Sequence, residues 1–219
     1  SASGVRAGLD MVGDTESTVM AWAGDGGTFD IGIQALSGAA ERNEDFIYTC
    51  YDNEAYMNTG IQRSSATPLG AWTTTTPVKH YKKERKKDII GIMAAHAIPY
   101  IATASIAYPE DMVKKFKKAK DIRGTRFIHV YAPCPTGWKS RPEDTVKLAR
   151  LAVQTSYFPL YEIEDGERWM LNLKVKERKP ITDYLKLQGR FRHLKQDEID
   201  LIQAEVEANY QRILKKCGL

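Results

Sequence analysis

Apolar residues run along this chain in two rhythms. Thr18 to Ala23, Phe46 to Tyr51, Tyr100 to Ile106 and Arg126 to Ala132 are short apolar runs of strand length, and the first ends in glycines that predict a tight turn. Between them the spacing is helical. From Asp30, the positions Ile31, Ile33, Ala35, Leu36, Ala39 and Ala40 fit a helix that closes before Asn43, and Asp88 to Ala97 predicts a second. A third begins at Pro109-Glu110-Asp111, where proline suits a first turn and acids suit its positive end; Arg141 to Thr155 predicts a fourth. Phe158 to Ile163 with Trp169 to Val175 reads as a hairpin. Lys195 to Lys216 sets Ile199, Ile202, Val206, Tyr210 and Ile213 along an amphipathic helix. Strands alternating with helices predict an α/β fold, a mostly parallel sheet flanked by helices. We expect the α/β domain over residues 1–175 and a C-terminal extension, 176–219, packed on it or on a partner. The opening, Ser1 to Leu9, reads as the middle of a helix, and without an initiator Met the chain is expected to be one piece of a longer polypeptide.

Composition narrows the class. With 219 residues, 42% of them hydrophobic, the chain has enough apolar material for a sizeable core. Much of the net charge of +4 sits in Lys79 to Lys87 and Lys114 to Lys120, which are expected to be solvated faces able to receive an acidic protein partner. They lack the repeated aromatic interleaving of a nucleic-acid surface, so no nucleic-acid partner is expected. No apolar stretch approaches the ~20 residues of a membrane span, and the start resembles neither a secretory signal nor a transit peptide, so a soluble, cytoplasmic protein is expected. Three widely spaced cysteines, Cys50, Cys134 and Cys217, exclude a disulfide framework and a self-contained CxxC metal knot. The four histidines show no ligand-like spacing.

The chemistry gathers in two places. Gly24-Asp25-Gly26-Gly27 follows the first strand, and Asp52-Asn53-Glu54 follows the second, opening a polar loop that runs to Pro77. Loops of this length inside a compact domain tend to be functional. In an open parallel sheet, ligands sit beyond the carboxyl ends of the strands, where both segments fall. Glycines let backbone amides approach an anion, and the next helix points its positive end at the same spot. Asp25 alone would repel a phosphate. A divalent cation between them removes the conflict, since Mg²⁺ is commonly held by a carboxylate together with phosphate oxygens; Asn53 would add an amide oxygen and Ala55 a backbone carbonyl. A GDGG segment by itself is often only a turn, but Asp25 and Asn53 lie 28 residues apart, one helix plus one strand, which brings successive strand ends together. Neither GxxxxGK[ST] nor GxGxxG is present, which argues against a P-loop or dinucleotide-binding module.

GDG followed at this distance by an Asn and a carbonyl resembles the thiamine diphosphate motif. YDNEAYMNTGIQRSSATPLGAWTTTTP (Tyr51 to Pro77) and YAPCPTGW (Tyr131 to Trp138) resemble the 2-oxoacid:ferredoxin oxidoreductase family, in its pyruvate:ferredoxin oxidoreductase (pyruvate synthase) beta-subunit form, over roughly Gly8 to Thr155. The resemblance implies a thiamine diphosphate-binding fold in which Asp25, Asn53 and the Ala55 carbonyl hold Mg²⁺. Gly24, Gly26, Gly27 and Thr28 would then form the diphosphate-binding turn, with Tyr56, Asn58 and Thr59 also on the cofactor and Asn58 the active-site asparagine near its reacting carbon. Cys134 matches one of four ligands of a [4Fe-4S] cluster; the family's other three lie upstream of the GDG segment, beyond this sequence. Cys50 is expected in the core and Cys217 has no role.

The implied reaction is oxidative decarboxylation of pyruvate with coenzyme A to acetyl-CoA and CO₂, with two electrons leaving singly through iron-sulfur centres to ferredoxin. The alternatives are 2-oxoisovalerate, 2-oxoglutarate or oxalate in place of pyruvate, or a nonoxidative thiamine diphosphate decarboxylase subunit without a cluster. The implied partners are an alpha subunit carrying the glutamate that activates the cofactor, and gamma and delta subunits. The loop from Asp52 to Pro77 and part of the sheet edge are expected to be buried in such a partner.

Overall fold

Each of the four short apolar runs becomes a parallel strand. The computed structural model describes residues 1–219. β1 (Met20–Gly24), β2 (Phe46–Asp52), β3 (Tyr100–Ser105) and β4 (Thr125–Tyr131) join β5 (Tyr161–Glu164) and β6 (Arg168–Leu171) in one sheet of order β1-β2-β4-β3-β5-β6. Only β5 and β6 run antiparallel to their neighbours. Every residue of β3 and β4 is buried, as a parallel sheet covered on both faces requires. The strands' period of two divides the core. Phe127, Ile101 and Cys50 pack with α2 (Ile33–Glu41) and α3 (Ile89–Ala95), while Ile128, Tyr100 and Ala102 pack with α4 (Pro109–Asp121).

A third cluster lies toward the carboxyl ends of the strands. There Tyr131 and Trp138 pack with α6 (Thr145–Gln154), α7 (Ile181–Leu185) and α8 (Gln196–Lys216) through Leu148, Tyr184, Leu185 and Ile202. Residues 176–219 thus build part of the core beside the strand ends. The first helix, α1 (Ala2–Met11), buries only Arg6, whose guanidinium donates to the carbonyls of Asp14 (2.5 Å) and Ser17 (2.9 Å).

Several boundaries differ from the pattern. The helix expected from Asp30 is preceded by a π-helical turn, Gly26–Ile31, closed by Gly32 N donating to Gly27 O (2.8 Å). Pro142–Asp144 forms a 3₁₀ turn before α6, and the hairpin starts at Tyr161 because Pro159 has no N–H to pair. The basic runs are not simply solvated, which corrects that expectation. Lys82 donates to the carbonyls of Thr67 (2.5 Å) and Arg85 (3.0 Å), Lys87 donates to Phe29 O, and buried Lys115 donates to Thr103 O (2.8 Å) and Asp111 (2.6 Å). A buried ammonium needs such partners, and carbonyls at loop and strand ends supply them. No helix is long and apolar enough to cross a membrane.

Candidate cofactor and cation site

The parallel register places Gly24 opposite Tyr51, so the residues that follow β1 and β2 leave the sheet side by side. Asp25 is 1% exposed. Its Oδ2 accepts from Ser64 Oγ (2.6 Å), which turns Oδ1 toward Asn53, whose backbone N–H lies at 3.4 Å. The Asn53 side-chain oxygen stands 2.9 Å from Asp25 Oδ1 and 2.9 Å from Ala55 O. With the amide oxygen so turned, three acceptors meet there. Turning the amide over would make two hydrogen bonds of these contacts. A cation would satisfy them as they stand: bonds of 2.0–2.1 Å at right angles put neighbouring oxygens about 2.9 Å apart. A carboxylate, an amide oxygen and a backbone carbonyl are the hard donors Mg²⁺ takes, so these residues fit it. Burial, and next the charge of Asp52, push Asp25 up to about 8, and a nearby cation would reverse that shift.

The glycine turn is built around the same point. Thr28 Oγ1 donates to Gly24 O (2.8 Å) and lies 3.1 Å from Tyr48 Oη. The Tyr56 ring covers Gly26 so closely that a Cβ there would enter it; its hydroxyl donates to Gly26 O (3.1 Å) and approaches Asp30 Oδ2 (3.3 Å). At Gly27 a Cβ would meet nothing within 4 Å. The turn therefore has one closed side and one open side, and the N–H groups of a first helical turn lack partners within the helix. An anion resting against the open side of Gly27 would find both donors and the positive end of the helix.

Beneath the three converging oxygens lies a buried charge cluster that the sequence did not reveal. Glu54, between Asn53 and Ala55, is fully buried with φ +67°, a left-handed backbone that costs a non-glycine residue about 1–2 kcal/mol. Its carboxylate accepts from Arg190 (2.5 Å), Lys86 (2.9 Å) and Tyr157 Oη (2.8 Å). Its N–H donates to Asp52 Oδ1 (2.9 Å) and its C=O accepts from Thr67 Oγ1 (2.7 Å). Asp52 also accepts from Lys86 (2.5 Å) and pairs with His129 Nε2 (2.7 Å). Burial alone would raise Asp52, but Lys86 and His129 outweigh it and hold the carboxyl at about 2. Burial likewise works against Lys86 and Arg190, whose carboxylate neighbours more than compensate and raise both. Trp138 Nε1 donates to Asn53 O (2.8 Å).

Tyr157 and Arg190 have no assignment in the sequence because nothing local marks them; Glu54, Ser64, Lys86 and Trp138 lie in segments already singled out, but nothing in those segments shows which side chains turn inward. Of the residues expected in the site, Asn58 and Thr59 stand exposed on the turn after Met57, Thr59 Oγ1 donating to Gln62 (2.6 Å). Cys134 is half-buried between β4 and α5 (Pro135–Trp138). Cys50 is buried in β2, Cys217 follows α8, and no group of three His, Cys, Asp or Glu side chains is placed to hold a metal. A [4Fe-4S] cluster takes four thiolates. These residues alone do not form such a site.

Comparison with known proteins gives the family and the fold. A profile described as thiamine pyrophosphate enzyme, C-terminal TPP binding domain, matches residues 1–130. The ketoisovalerate oxidoreductase subunit VorB of Pyrococcus abyssi is 52% identical over 223 residues, covering 97% of this chain and 71% of that protein. The pyruvate synthase subunit PorB of Methanothermobacter marburgensis is 53% identical over 215 residues, covering 97% and 74%. Among solved structures, a 2-oxoglutarate:ferredoxin oxidoreductase from Magnetococcus marinus, with 2-oxoglutarate, coenzyme A and succinyl-CoA bound, superposes with a TM-score of 0.55 at 24% identity. The match covers 68% of this chain and 57% of that one, and speaks to the fold alone.

Proposed function

This chain belongs to the 2-oxoacid:ferredoxin oxidoreductase family, as its thiamine diphosphate-binding beta subunit, and from that premise we propose that it serves the coenzyme A-dependent oxidative decarboxylation of pyruvate, with ferredoxin as electron acceptor. The observation that supports the site assignment is the Asn53 amide lying 2.9 Å from both Asp25 Oδ1 and Ala55 O, with Gly27, open on one side, two residues after Asp25. Asp25, Asn53 and Ala55 would hold Mg²⁺, and Gly24, Gly26, Gly27 and Thr28 the diphosphate. Thiamine diphosphate, when bound, supplies the nucleophilic carbon and the electron sink for cleaving a 2-oxoacid. The protein's part is placement. The amides of the glycine turn fix the anionic end, the Tyr56 ring closes one side of it, and Asn58 is a neutral donor able to stabilise negative charge developing on the substrate's oxo oxygen. Its exposed turn suits closure against a partner, in keeping with an alpha subunit that brings the activating glutamate and with further gamma and delta subunits. Cys134 would be one cluster ligand.

The substrate has a second reading. Relatives of nearly equal identity carry the names pyruvate synthase and ketoisovalerate oxidoreductase, which favours 2-oxoisovalerate as the alternative. Anaerobic coenzyme A-dependent reduction of a viologen dye by the assembled enzyme, across a panel of 2-oxoacids, separates them. Asp25→Ala is expected to abolish turnover on every member. Activity surviving in that variant would overturn the cation assignment, and a preference for 2-oxoisovalerate would overturn the choice of pyruvate.

A further inference from the structure

We propose that Glu54 is a positioning residue for the bound cation, and that Arg190, from the C-terminal segment, is the strut that holds it in place. The inference rests on the reading of Asp25, Asn53 and Ala55 as cation ligands. Two of those three flank Glu54 directly. Their directions therefore depend on the backbone at residue 54, which is left-handed at φ +67° and is not a glycine. A side chain held in that conformation needs compensating contacts, and here every polar group of the residue is engaged. Its carboxylate takes Arg190, Lys86 and Tyr157, its N–H takes Asp52, and its C=O takes Thr67.

Arg190 is placed for this by its own surroundings. It is 2% exposed, it donates through Nε to Gln188 (2.9 Å), and its guanidinium lies 3.9 Å from the centre of the Trp138 ring. Trp138 in turn donates to the carbonyl of Asn53. The same arginine therefore braces both sides of the Asn53–Ala55 turn: Glu54 by an ion pair and Asn53 through the indole. This assigns a site function to residues 176–219, which form no hydrogen bond to the cation ligands themselves. Lys86 is shared between Glu54 and Asp52.

The test is metal discrimination. Mg²⁺ demands near-ideal octahedral geometry, whereas Ca²⁺ tolerates distortion and variable coordination. A misdirected ligand pair therefore costs Mg²⁺ more than Ca²⁺. In the assembled enzyme, binding of thiamine diphosphate is titrated calorimetrically against Mg²⁺ and separately against Ca²⁺, for wild type, Glu54→Gln, Arg190→Met and Arg190→Lys. Groups that orient metal ligands are typically worth 10–100-fold in affinity. Glu54→Gln is expected to weaken the Mg²⁺-dependent binding by about that factor and the Ca²⁺-dependent binding by less than about threefold. Arg190→Lys keeps the charge and is expected to recover part of what Arg190→Met loses. Should Arg190→Met not fold, Glu54→Gln and Arg190→Lys still decide the matter. Equal losses for both metals, or no loss, overturn the positioning role. Asp25→Ala run alongside keeps the two claims apart: unchanged Mg²⁺ dependence there overturns the cation site itself.

Discussion

Replacing Gly27 by alanine separates what this residue does for the fold from what it does for a ligand. Gly27 lies in the π-helical turn and lacks a positive φ, and an added Cβ would touch nothing within 4 Å. An alanine there removes backbone freedom from the unfolded chain, which stabilises by about 0.4–1 kcal/mol. For a domain of this size that raises the melting temperature by about 1–4 °C. The diphosphate would meet the new methyl group in the space now open. Losing one hydrogen bond to a charged oxygen costs about 1.5–3 kcal/mol, or roughly ten- to a hundredfold in affinity. The assays are thermal unfolding without ligand, and titration of thiamine diphosphate at saturating Mg²⁺ followed by tryptophan fluorescence. A variant that is at least as stable as wild type and binds at least tenfold more weakly is the expected outcome. Wild-type affinity would show that no anion rests against Gly27, and reduced stability would show that the space beside it is occupied by the protein.

Gly32→Ala should behave in the opposite way, since its Cβ would strike Gly27 O, a backbone atom that cannot swing aside. We expect a loss of about 1–3 kcal/mol in urea unfolding together with weaker cofactor binding, and unchanged stability would refute the close contact. Trp138→Phe keeps most of the ring but leaves Asn53 O without its donor, for an expected loss of about 1–3 kcal/mol in the same measurement; a neutral result would mean water replaces the indole. Acid stability depends in part on Asp45. Burial pulls its carboxyl up, but Arg123 and Arg126 prevail and hold it below the ordinary value. Its contribution is therefore full above the unfolded value of about 3.9 and is lost as pH falls through the lower folded value. Asp45→Asn should cost about 1 kcal/mol at neutral pH and progressively less as pH falls through the lowered folded value, and a cost that does not change with pH would refute the pairing.

The parts of this fold that were legible in sequence are those whose cause is local. β3 and β4 are buried on both faces, so they had to be continuous apolar runs, and Asp25 and Asn53 sit at strand ends one helix and one strand apart. The π-turn was not legible, because a bond from Gly32 N to Gly27 O leaves no mark in composition. Helices of four and five residues, α5 and α7, are too short to show a period. Lysines 82, 86 and 87 looked like a solvated run because nothing in their own neighbourhood shows the acceptors they meet. Arg190 and Glu54 are 136 residues apart, and their contact follows only from the way α7 and α8 pack over the strand ends.

Those hidden contacts leave the visible residue, Asp25, without a countercharge. Three buried carboxylates stand at the ends of β1 and β2: Asp25, Asp52 and Glu54. Asp52 has Lys86 and His129, and Glu54 has Lys86 and Arg190, so the cationic side chains of the cluster are spent on two of the three. Asp25 has a hydroxyl from Ser64 and a long contact to a backbone N–H, and forms no ion pair. A carboxylate 1% exposed without a countercharge is costly unless it stays protonated or acquires a cation. With its nitrogen turned inward the Asn53 amide donates to Asp25 and to Ala55 O; with its oxygen turned inward, a cation would be what draws the three groups together. A divalent cation, as proposed for this site, would supply the missing charge, and a phosphate group would then complete the balance from the open side of Gly27.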